Sequence, residues 1–255
     1  MMGVFTDRTG EETYNNFGSK MIITNYRNYK DIDVYFPEYN WTLKHARCGN
    51  FIRGNITCPY EPRVFGIGYI GEGKYRAKGK DGKHDIYYDY WYSMMRRCYG
   101  RKQNRDRTYE GCVVKSNWHN FQNFAEWLDN HYYEVPNQRM CLDKDILHKG
   151  NKIYSDKTCC FVHEKINTLL IKCDKSRGNC PIGVTYHKRD KIYEVKCNNG
   201  KGSDYLGRFD NIYDAFYVYK VHKEKIIKQR ADEYKQYLPQ NVYEALYNYQ
   251  VEITD

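Results

Sequence analysis

Residues 20–46, KMIITNYRNYKDIDVYFPEYNWTLKHA, alternate β-branched or aromatic side chains with polar ones, with breaks at Asn28–Tyr29 and Pro37–Glu38. A period of two marks half-buried strands, so this stretch predicts short antiparallel strands. The following CGNFIRG predicts a helical turn, stopped before Pro59 and Pro62. Residues 66–85 are glycine-rich and basic and read as a connector or hairpin; their G-x-G lacks the βαβ setting of a nucleotide-binding loop. The period then changes. Tyr87, Trp91, Met94 or Met95 and Cys98 recur at helical spacing, as do Phe121, Phe124, Ala125 and Leu128. Both stripes read as helix faces packed on a core.

Further along, LDKDILHKGNK (142–152) reads as an apolar–acidic strand and a glycine turn, and HEKINTLLI as a helix. GVTYHKRDKIYEVKCNNGKGSDYLGRF predicts three strands with turns at Arg189–Asp190 and Asn198–Gly202. A long amphipathic helix follows, its sheet-facing side supplied by Ala215, Phe216 and Tyr219; Pro239 interrupts it, and NVYEALYNY adds a shorter helix. The expected class is α+β. Residues 1–80 form a small β-rich module and a possible DNA reader, 81–172 a central domain, and 173–255 a three-stranded antiparallel sheet with a helix.

Charge and composition narrow the choice of partners. A formal net charge of +9 together with 28 tyrosines favours a nucleic-acid partner, because a Tyr ring stacks on bases and its hydroxyl reaches phosphates. A merely solvated surface would draw on the same residues. The ten cysteines contain no C-x-x-C pair, so no structural zinc is expected and the thiols read as reduced core fillers. No run approaches the roughly 18 apolar residues of a membrane span, and the N-terminus has no apolar stretch after a basic start. A cytoplasmic protein without a membrane partner is the expectation; whether another protein binds it is not readable.

Two stretches carry a resemblance to known families. Gly183-Val184-Thr185-Tyr186, Lys191-Ile192-Tyr193-Glu194-Val195 and Leu206-Gly207-Arg208-Phe209, ahead of a helix with Ala215, resemble the Apetala/ethylene-response-factor type of DNA-binding domain. That resemblance implies a sheet entering the major groove, which a narrow ribbon fits sterically. Tyr186, His187, Lys188, Arg189, Lys191, Tyr193, Lys196 and Lys201 would then face double-stranded DNA. Tyr88-to-Trp91, Met94-to-Tyr99 and the later LDKDI…GNKIYS…C…IN block resemble the phage HNH nucleases, including free-standing homing endonucleases with appended DNA-binding modules. The leader RTGEE…NNFGSKMIITNYRN is similar to those of the same proteins, so the resemblance covers nearly the whole chain.

The HNH resemblance implies a ββα-metal core that hydrolyses a DNA phosphodiester with magnesium or manganese. One ion, held by a strand carboxylate and a helix amide or imidazole, neutralises charge at the scissile phosphate, and a neutral histidine takes a proton from water. On that pattern Asp143 is the strand ligand and Asn167 the helix ligand, with Ser155 or Thr158 near the loop-bracing position. Lys144 stands where the pattern has its histidine. An ammonium accepts no proton unless burial depresses its pKa, and Asp143 and Asp145 beside it would stabilise the charge instead. Lys144 therefore suits a phosphate clamp better than a base. Asp145 or His148 could act as the base, or the ion itself could supply hydroxide. The alternative is an inactive DNA-binding derivative, such as a regulator or a counter-defence inhibitor.

Overall fold

The computed structural model describes residues 6–79, 82–100, 107–171 and 179–255. Cys173 and the expected 172/173 boundary lie outside these residues. The chain forms two compact units, Met1–Asn130 and His131–Asp255, and the division falls inside the 81–172 stretch. The mixed α+β class is borne out, with several small sheets.

The first unit opens with a four-stranded antiparallel meander of β1 (Glu12–Tyr14), β2 (Lys20–Asn28), β3 (Asp31–Phe36) and β4 (Trp41–Ala46). Its breaks fall where the alternation fails, at residues 29–30 and at the turn beginning with Pro37. Met21, Ile23, Ile32, Val34 and Phe36 supply the core from the strands, and the short helix α1 (Cys48–Ile52) closes it with Cys48 and Phe51. Strand β1 is the element of this sheet that sequence pattern missed; three residues are too few to show a period.

Helix α2 (Ile86–Tyr99) starts at Asp85, whose side chain accepts the Tyr87 N–H. It buries Trp91, Met94, Met95 and Cys98, as the helical spacing predicts. After the two-residue strand β5 (Val113–Val114), helix α3 (Phe121–His131) contributes Phe121, Phe124, Ala125 and Leu128. The Trp91 indole N–H donates to the Trp118 carbonyl at 2.7 Å, which satisfies a polar group that burial would otherwise penalise.

The second unit contains a two-stranded antiparallel pair, β6 (Met140–Asp143) with β8 (Cys160–His163), with the short strand β7 (Ile153–Tyr154) between them in sequence and α4 (Glu164–Leu169) after them. A second sheet has the order β11 (Ser203–Phe209), β10 (Ile192–Asn198), β9 (Val184–His187), all antiparallel. Helix α5 (Ile212–Glu233), capped by the Asn211 side chain, packs Ala215, Phe216 and Tyr219 on Val184, Val195 and Cys197. The shorter α6 (Gln240–Tyr247) follows Pro239. Leu169 of α4 belongs to the same core as the sheet. Among the described residues no helix is long and apolar enough to cross a membrane.

Candidate functional site

The register of the first pair sets Asp143 opposite Cys160 and Met140 opposite His163, so Asp143 ends its strand where the chain turns away. One of its oxygens, Oδ1, accepts the backbone N–H groups of Asp145 and Ile146, each at 2.8 Å. That turn folds the carboxylate of Asp145 back toward it. Burial first, and then the Asp145 charge, push Asp143 up to about 6 even though the two backbone donors pull the other way.

Lys144 points elsewhere. It is 8% exposed, donates to Asp145 Oδ2 at 3.0 Å and lies 6.0 Å from the centre of the Tyr154 ring. Its ammonium is paired with Asp145. His148 is exposed on the turn between β6 and β7. Asn167 sits half-buried on α4, a helix that packs against β6. The structure thus joins Asp143, Lys144 and Asp145 in one tight turn, and brings α4 with Asn167 against the same strand.

The brace of this loop is a residue that sequence pattern did not single out. Asn151 Nδ2 donates to the carbonyls of Lys144 and Ile153, and its Oδ1 accepts the Ile153 N–H. Ser155 and Thr158 pin the next turn, Oγ to Oγ1 at 2.9 Å. The signal for Asn151 was its place after Gly150, where an amide commonly closes a turn. Beyond the turn, Lys149 is held by Asp255 at 2.7 Å and by the Gln250 carbonyl, over the Tyr249 ring.

His163 sits at the centre of the unit with no exposed surface, its ring 3.9 Å from that of Tyr234. Neither ring nitrogen has a hydrogen-bond partner. Burial, with Arg230 and Lys165 adding to it, lowers its pKa to about 4. It is a neutral packing group.

On the second sheet the residues divide by face. Val184, Val195 and Cys197 point toward α5, and by alternation Glu194 and Lys196 point away. Glu194 gathers Lys196 at 2.6 Å, Arg208 at 3.4 Å and His187 at 3.6 Å, and is lowered by them, Lys196 foremost. Lys188, Arg189, Lys191 and Lys201 are exposed at the two turns, with Arg189 paired to Asp190 at 2.8 Å. Tyr193 is partly buried against the helix-side core, and the Tyr186 ring lies tilted against it, centres 4.9 Å apart. Arg208 and Tyr205, the latter 59% exposed, join the outer strand although sequence reading named neither as a contact. A bulge between Val195 and Lys196 shifts the register there, which alternation alone does not reveal.

No protein-family model, curated protein or solved structure matches the chain.

Proposed function

We propose that the protein is a divalent-metal-dependent DNA endonuclease of the ββα-metal kind, with an adjoining sheet that holds double-stranded DNA. The observation that carries this reading is Asp143, a strand-end carboxylate raised by burial and by a second carboxylate, next to a helix that bears Asn167. A carboxylate that the protein leaves without a cation is one that a cation would stabilise. The donor set fits: carboxylate and amide oxygens suit hard ions such as magnesium or manganese. Asn167 makes no side-chain hydrogen bond among the described residues, so its amide is available. When bound, such an ion offsets charge at the scissile phosphate and at the leaving oxygen.

The chain's own residues divide the remaining work. Asn151 fixes the turn, so Asp143 is presented at a constant angle. Lys144 occupies the base position with its ammonium paired to Asp145, and so accepts no proton. The solvent-facing imidazole of His148 then takes the proton from the attacking water. Double-stranded DNA would lie on the outer face of β9–β11, with Lys196 and Arg208 on the strands and Lys188, Arg189, Lys191 and Lys201 at the turns. A ribbon of this width fits the major groove.

One observation favours the inactive DNA-binding alternative, namely that a buried Lys144, paired with the half-exposed Asp145, stands at the position of the expected imidazole. Supercoiled plasmid with magnesium or manganese decides between the two. Nicking by the wild type that Asp143→Ala removes supports the endonuclease. Inert wild type and inert Lys144→His, with duplex still retarded in a gel, support the DNA-binding protein.

A further inference from the structure

The first unit contains a cleft of about 950 Å³ that belongs to neither the Asp143 turn nor the basic sheet. We propose that this cleft binds a nucleotide with an unpaired base, taken either from a single strand or as a free mononucleotide. The inference does not depend on cleavage at Asp143.

The cleft's floor holds a carboxylate. Glu61 is 2% exposed; Asn15 Nδ2 bonds its Oε1, while Oε2 is buried with no hydrogen-bond partner. The nearest cation, Arg63, is 3.8 Å from Oε2. Asn15 is itself fixed, because its Nδ2 donates to the Ile56 carbonyl and its Oδ1 accepts the N–H groups of Phe17 and Ser19. Arg63 offsets the charge of Oε2 without hydrogen-bonding it, so a rigidly held, buried acceptor is left that an N–H of the ligand would match.

The walls are aromatic. Phe65 lies 5.2 Å from Tyr92, which stacks on Tyr88 at 5.8 Å. Phe65 is held at φ 55°, a left-handed conformation unfavourable for a bulky side chain, within the narrow Val64–Gly68 loop. The base of the same loop is tightly packed: a Cβ on Gly68 would come within 2.9 Å of Trp91 and Met95. Such strain persists where its surroundings over-determine it, and it tends to accompany binding sites.

The rim is cationic. Arg96 is exposed with no partner among the described residues, and Arg63 lies 5.3 Å from the centre of the Phe17 ring. Two arginines at the mouth disfavour a cationic ligand, which aromatic walls and a carboxylate would otherwise suit. They favour a flat ring system that carries an anion. A nucleotide meets all three demands: its base stacks on Tyr92 and Phe65, an exocyclic amine donates to Glu61, and its phosphate pairs with Arg96 or Arg63. Glu61 also sets a preference, since cytosine and adenine carry an exocyclic amine and thymine does not.

The test is fluorescence anisotropy of the full chain with labelled single-stranded oligo(dC), oligo(dA) and oligo(dT) in EDTA. Oligo(dC) and oligo(dA) should bind more tightly than oligo(dT). Tyr92→Ala and Arg96→Ala, both at exposed positions, should each weaken oligo(dC) about fivefold or more. Glu61→Gln, verified as folded by circular dichroism, should remove the preference and leave oligo(dT) unchanged. Competition by CMP and AMP alone identifies a free-nucleotide site, whereas competition only by oligonucleotides identifies a strand site. The proposal is overturned if wild type binds none of these, or if Tyr92→Ala and Arg96→Ala bind single strands as wild type does. Plasmid nicking reports on Asp143 separately, so either reading can fail alone.

Discussion

Two aspartates on sheet elements, Asp33 in the first unit and Asp143 in the second, meet opposite fates. Asp33 is nearly buried, yet Arg27 grips it through both oxygens at 3.0 and 2.7 Å, and the His45 N–H adds a third bond. Those contacts, Arg27 foremost, hold it below the usual carboxylate range. Asp143 has backbone donors and a neighbouring carboxylate, and it is pushed the other way. Convergence of ligands alone would point to the first. Asp31, Asp33 and His45 are the one group of three potential metal-binding side chains that converge among the described residues. Arg27 already supplies the positive charge there, also meeting Asp31 at 2.9 Å. A cluster of ligands points to a metal only when the protein has not provided the cation itself.

The largest effect that sharpens this comparison is on cleavage. Asp143→Ala should reduce plasmid nicking by about a hundredfold or more, the scale of losing one preorganised transition-state contact. Asp33→Ala, assayed at a temperature where it is folded, should nick like wild type. Equal losses in the two variants would mean that Asp143 is not special.

Acid stability provides the next test. His163 binds its proton more weakly folded, at about 4, than unfolded, near 6.5. The unfolded chain thus takes up more protons as pH falls through that window. Stability is full above pH 6.5 and should drop by on the order of 3 kcal/mol toward pH 4. Asp143 acts oppositely: its raised pKa makes the folded state gain relative stability as pH falls below about 6. Urea titrations of His163→Phe should show a flatter acid limb than wild type; an unchanged limb would remove His163 as its cause.

The sign of Asp→Asn substitutions should also differ between the two sites. In EDTA at neutral pH, Asp143→Asn removes an unfavourable buried charge and keeps the acceptor for its two backbone donors. It should stabilise the protein by on the order of 2 kcal/mol while abolishing nicking. Asp33→Asn removes Arg27's partner and should lower Tm by a few degrees. Adding manganese should raise the Tm of wild type but not of Asp143→Asn, by linkage. If both substitutions destabilise, the electrostatic contrast between the sites is wrong.

The smallest effect concerns the outer sheet. Arg208→Ala should weaken duplex binding a few-fold and flatten the salt dependence by about one unit if Arg208 meets a phosphate. Point variants suit this question better than deleting the chain after Ile171. Leu169 shares its core with Val184 and Val195, so such a deletion would strip part of the remaining unit.

The sequence by itself determined the elements wherever one face is buried. Alternation over 20–46 located three strands and their breaks, and the Trp91 and Phe121 stripes located two helices, because burying one face imposes a period. Its resemblance to the HNH nucleases also singled out Asp143, Lys144 and Asp145 as candidate site residues. Only the tertiary structure decided what those charges do. Lys144 turns to Asp145, Arg27 neutralises Asp33, and Glu194 draws in Lys196, Arg208 and His187. The pairs across strands depend on register, and register at Lys196 depends on a bulge at Leu206, which only a glycine inside the strand, Gly207, marks in the sequence. The cleft was likewise invisible, because Asn15, Glu61, Tyr92 and Arg96 are far apart along the chain. Periodicity is a local property and survives in one dimension; charge compensation acts through space and becomes defined when the chain is folded.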